Sequence, residues 1–170
     1  MLAEKYPERI KQIFAKYPDK RSAVMPLLYL AQEEYGWLTE EALREVAALC
    51  DIDPTQARSI AGFYTMYAEK PKGKYWLQVC TDLPCALRGA DQFFHDLCEY
   101  LGVDPEHGGT TDDGLFTVES VMCLAACDKA PVMQNNFHFH ENLDIEHAKQ
   151  LIEKWRAESA AENDENDDTE

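Results

Sequence analysis

Apolar residues recur with a helical period through the first seventy residues. From Pro7 to Lys16, Ile10, Ile13 and Phe14 fall on one face. A second helix is predicted to start at Ser22 as cap, to turn Ala23, Val24, Leu27, Leu28, Leu30 and Ala31 inward, and to end at Gly36. Pro26 lies in its first turn, where proline is tolerated. Thr39, followed by Glu40 and Glu41, opens a third helix bearing Leu43, Val46, Ala47 and Leu49. Asp53-Pro54 reads as an N-cap with proline at the first helical position, opening a fourth helix through "ARSIAGFYTMY".

The period then changes. "AEKPKGK" (68–74) is a turn-rich joint. "KYWLQVC" alternates as a strand, with Tyr75, Leu77 and Val79 on one face. "RGADQFFHDLCEYLG" reads as an amphipathic helix closed by Gly102, and "GLFTVESVM" as a second strand. "APVMQNNFHFH" reads as a strand, a turn at Asn135-Asn136 and a further short strand, in which His138 and His140 face outward from Phe137 and Phe139. "DIEHAKQLIEKWRA" is a last helix capped by Asp144. The expected architecture is α+β or α/β: a helical domain at 1–70, a thioredoxin-like layer at 73–156 and a tail at 157–170.

Composition narrows the function. Hydrophobic residues make up 45%, enough for a core without staples, and the net charge is −16. The last fifteen residues hold seven acids and one arginine; such a run cannot offset its ordering entropy and is expected to be disordered. No Lys/Arg stripe suits nucleic acid, and no apolar run is long enough to span a membrane. The first residues mix acids with bases and lack an apolar core segment, so a cytosolic location is expected, where disulfides are disfavoured.

The chemistry lies in the cysteines. "VCTDLPCALRG" places Cys80 and Cys85 as C-x4-C at a strand end; "VMCLAACDKAPV" places Cys123 and Cys127 as C-x3-C after the next strand. Four soft ligands from two loops on one sheet edge suit zinc or an iron–sulfur cluster. The wide spacings suit a [2Fe-2S] cluster, one pair per iron, better than a zinc site built from C-x2-C pairs, yet zinc and thiol redox chemistry stay open on spacing alone. No thioredoxin C-x-x-C, Rieske histidine or plant-ferredoxin spacing occurs, nor any nucleotide-binding glycine motif. Cys50 and Cys98 read as buried structural thiols, His95, His107 and His147 as isolated surface residues, Asp112-Asp113-Gly114 as a turn, and "GFYTMY" (62–67) as core or partner surface.

With "YGWLTEEALREVAALCDIDPTQARSIAGFYTMY" and "GTTDDGLFTVESVMCLAACDKAPVMQNN", these motifs resemble the small [2Fe-2S] subunit of respiratory complex I, the NADH:quinone oxidoreductase, over roughly residues 20–155. The resemblance implies a helical N-terminal part before a thioredoxin-like ferredoxin domain, and one [2Fe-2S] cluster bound by Cys80, Cys85, Cys123 and Cys127. It implies one-electron transfer, with FMN and NADH only on a partner flavin subunit, in a cytoplasmic complex peripheral to the membrane. A homologous subunit of an NAD-linked hydrogenase or formate dehydrogenase carries the same pattern, and a zinc-stabilised adaptor is the non-redox alternative. Two positions depart from the family: Ala125 stands where it commonly has glycine, and Met122 where it often has glutamate. Alanine is strained there if the position needs a positive φ.

Overall fold

A computed structural model describes the backbone of residues 1–167 and the side chains of residues 1–162. The chain forms two compact units, Met1–Lys72 and a second from Gly73 onward.

The first unit is helical: α1 (Leu2–Lys5), α2 (Pro7–Phe14), α3 (Val24–Tyr35), α4 (Glu40–Leu49) and α5 (Pro54–Phe63). Its core joins Leu27, Leu28 and Leu30 of α3 to Leu43 and Val46 of α4 and to Ala57 and Ala61 of α5. Each buried leucine contributes about 1.5–3 kcal/mol relative to exposure. Two caps hold as expected. Thr39 Oγ1 accepts from Ala42 N at 3.1 Å, and Asp53 Oδ1 accepts from Thr55 N at 2.8 Å. The start of α3 differs: residues 21–23 form a 3-10 turn, and Ser22 donates its N–H to Asp19 Oδ1 instead of capping. Helix α5 stops at Phe63, so "GFYTMY" divides; Phe63 is 77% exposed while Tyr67 is buried.

The second unit is built on a five-stranded sheet ordered β2-β3-β1-β4-β5: β1 (Tyr75–Cys80), β2 (Gly109–Thr110), β3 (Phe116–Val121), β4 (Met133–Asn135) and β5 (His138–His140). Helices α6 (Leu83–Ala86), α7 (Ala90–Leu101) and α8 (Ile145–Asp167) complete it. Tyr75, Leu77 and Val79 pack with Phe116, Val118 and Met133 against Phe93, Phe94 and Leu97 of α7 and Ile152 and Trp155 of α8. Every residue of β1 is buried, because it is the middle strand. Asp144 caps α8 by accepting from His147 N at 2.7 Å.

Three expectations change here. The loop of the last hairpin is Asn136–Phe137, one residue later than expected, with Asn136 at φ +52°. His138 is exposed as expected, but His140 is half-buried and packs its ring on Trp155 at 5.2 Å, while Phe139 is 48% exposed. Helix α8 continues to Asp167, through most of the segment expected to be disordered; residues 168–170 of that segment lie outside the described residues. The acidic run is carried by a helix already nucleated on the core, and Ser159 inside it is buried.

Candidate metal centre

Topology brings the cysteines together. Strands β1 and β3 are parallel and in register from Tyr75↔Phe116 to Cys80↔Val121, so both end on one edge of the sheet. Strand β4 runs antiparallel to β1 and starts at that edge, with Met133 opposite Val79. Because β1 lies between β3 and β4, residues 122–132 must cross the end of β1, where Cys80 sits. Thr81 N donates to Val121 O at 3.0 Å and Cys80 N to Val132 O at 3.1 Å, fastening the crossing at both sides.

Local rules place each thiol. Asp82 accepts from Leu83 N at 2.9 Å and opens the single turn α6, with Pro84 early in it and Cys85 on its buried side. Cys80, Cys85, Ala90 and Ala130 form one small buried cluster, with Leu124 packed against it. Cys127 starts a 3-10 turn to Lys129, and the Ala130–Pro131 peptide is cis. Ala125 holds φ +57°, as the departure from glycine foreshadowed, and its N–H donates to Cys123 Sγ at 3.4 Å. Cys80 and Cys85 are buried, whereas Cys123 and Cys127 are exposed. Met122 is 80% exposed, and Leu83 and Leu87 also face outward.

The thiols sense one another. Burial pushes Cys85 up to about 12, assisted by its hydrogen bond with Cys80 and by the charges of Cys80, Cys127 and Cys123. Cys127, though exposed, is raised too, by the partial desolvation its neighbours impose and then by Cys123, Cys80 and Asp82. Cys85 and Cys127 therefore ionise readily only beside a compensating cation. A reactive dithiol needs the reverse, a lowered pKa in positive surroundings, so thiol exchange chemistry fits poorly. Among the described residues, three ligand-type atoms lie within 4.8 Å of one another at His95, Asp96 and Glu99. Tetrahedral zinc takes four sulfurs on one ion, whereas two irons divide four ligands two and two, one local pair to each.

The remaining candidates stay outside this centre. Cys50 and Cys98 are buried, and burial pushes each up to about 11, as inert structural thiols require. His95 is not isolated, standing beside Asp96 and Glu99 on the surface of α7, where Asp96 already accepts from Gln92 Nε2 at 2.7 Å. His107 accompanies Asp104. The N–H of Ala125 escaped the sequence reading, whose only signal was the glycine expected at that position.

The sequence matches the thioredoxin-like [2Fe-2S] ferredoxin family over residues 10–156. It is 41% identical over 150 residues to an E-type NADH-quinone oxidoreductase subunit of Rhizobium meliloti, covering 88% of each chain. To the E-type subunit of the Mycobacterium bovis NADH-quinone oxidoreductase it is 42% identical over 149 residues, 88% of this chain but 58% of that relative's length. To NADH-quinone oxidoreductase subunit 2 of Thermus thermophilus it is 46% identical over 129 residues, 75% of this chain and 70% of that one. A crystal structure of an NAD+-reducing [NiFe]-hydrogenase superposes with a TM-score of 0.66 at 23% identity over 78% of this chain and 23% of that one, a likeness of fold alone. By its match through both units and its four cysteines on one sheet edge, the chain belongs to the thioredoxin-like [2Fe-2S] ferredoxin family.

Proposed function

We propose that this chain is the small iron–sulfur subunit of an NADH:quinone oxidoreductase and passes single electrons beside a partner subunit that binds FMN and NADH. Cys80, Cys85, Cys123 and Cys127 hold the cluster as thiolates. When bound, a four-thiolate [2Fe-2S] cluster supplies one-electron redox chemistry with no proton transfer. The protein's part is to hold and to shield. Cys80 and Cys85 fix one side from within the sheet edge, Ala90 and Ala130 keep water from them, and Cys123 and Cys127 close the other side from the crossing loop. Hydride chemistry falls to the partner. No helix among the described residues is long and apolar enough to cross a membrane, which suits a peripheral place at the cytoplasmic face of a membrane complex.

The observation that carries this reading is the convergence of both thiol pairs at the shared end of β1 and β3. Its test is the visible spectrum of the purified chain with iron and sulfide assays. A red-brown chain with about two irons and two sulfides, bleached by dithionite, is expected. A colourless chain holding one zinc would replace the electron carrier with a structural metal site. Cys80→Ser or Cys123→Ser is expected to lose or alter the spectrum. The fold likeness to the hydrogenase keeps a second parent complex in view, and the subunits that copurify with the chain distinguish the two.

A further inference from the structure

The two thiol pairs stand in unlike surroundings. Cys80 and Cys85 are each 2% exposed and packed against alanines. The sulfur of Cys80 faces a carbonyl oxygen, that of Met122, at 3.8 Å. Cys123 and Cys127 are exposed, and Cys123 Sγ receives the Ala125 N–H at 3.4 Å. Water and an N–H donor stabilise negative charge; burial among methyl groups and a facing carbonyl oxygen oppose it. The loop also holds backbone strain on its side, since a non-glycine residue keeps φ +57° where the donor is aimed.

Resting on the four-thiolate reading above, with one local pair on each iron, we infer that the Cys123–Cys127 pair holds the iron that becomes ferrous, while the iron at Cys80–Cys85 stays ferric. One electron comes from a one-electron donor, dithionite in the test and a reduced flavin in the complex. One ferric ion becomes ferrous, no bond forms or breaks, and no proton moves. The extra negative charge then lies at the exposed side of the centre. Ala125 acts as a positioning residue, through its N–H on Cys123.

The test is proton NMR of the full cluster-loaded chain, oxidised and dithionite-reduced, across a temperature series. In a reduced two-iron centre with localised valence, β-protons of cysteines on ferric iron are strongly shifted and move toward the diamagnetic region on warming. Those on ferrous iron are less shifted and move the other way. The protein's own packing assigns them. Protons of Cys80 and Cys85 are expected to give Overhauser contacts to the methyls of Ala90 and Ala130, and those of Cys123 to Ala125. The expected result is ferrous-type behaviour in the set touching Ala125. Ferrous-type behaviour in the set touching Ala90 and Ala130, or the same temperature dependence in both sets, would overturn the assignment and leave the cluster reading intact. A chain without iron would sink both. As a second readout, Cys123→Ser should lower the reduction potential more than Cys85→Ser, because a harder oxygen ligand favours the ferric state most at the iron being reduced; the reverse order would count against the assignment.

Discussion

At the scale of single residues, Ala125 shows most directly how a backbone angle serves the centre. An L-residue in the left-handed region costs about 1–2 kcal/mol where glycine costs little. Ala125→Gly is therefore expected to stabilise the cluster-loaded chain by about 1 kcal/mol, read as a higher thermal midpoint, with an unchanged visible spectrum because the N–H remains. His140 gives a pH dependence. Burial lowers its pKa below the ordinary 6.5, and His138, His147 and Lys154 lower it further. A folded-state pKa below the unfolded one means stability is complete above about 6.5 and falls as pH drops from there toward the folded value. Urea midpoints between pH 7.5 and 5.5 should show that fall, and His140→Gln should flatten it. The exchange of roles between Phe139 and His140 was hidden from the sequence. Alternation tells which residues share a face but not how deeply each is covered, and packing against Trp155 buries His140 while His138 on the same face stays exposed.

Among elements, those governed by local chemistry were legible. Thr39, Asp53 and Asp144 cap helices as their types and positions suggest. Thr39→Ala should cost about 1 kcal/mol of stability, measured by denaturant unfolding. Elements set by tertiary contact were not legible. Strand β2 is two residues long and begins at a glycine, so no periodicity announces it; only pairing with Thr117 and Val118 makes it a strand. The glycine before it explains how the chain gets there. Gly108 has φ +73°, and a Cβ would run into the Val118 carbonyl oxygen. Gly108→Ala is expected to destabilise by roughly 2 kcal/mol or more, visible as a lower thermal midpoint.

For the whole molecule, the gathering of four cysteines was readable because strand ends and pair spacings leave few topologies once β1 and β3 are parallel. The inequality of the two pairs was not, since burial depends on α6, Ala90 and the crossing loop packing together. The acidic end was legible only in part: its composition argues for disorder, but composition does not know that α8 is anchored upstream and carries the run as far as Asp167. Lys74 donates to Ser159 Oγ at 3.2 Å and also pairs with Glu162. Truncation after Ala157 should lower stability by ~1 kcal/mol, with part of the loss masked at high salt. The seat of the thiols has one more consequence. They hang from the buried middle strand and the crossing fastened to its end. A centre that gains and loses charge there is held on its inner side by packed backbone. Small nuclear rearrangement is what lets an electron hop rapidly with little driving force, so under the proposed function the buried middle strand would favour fast transfer as well as the stability of the fold.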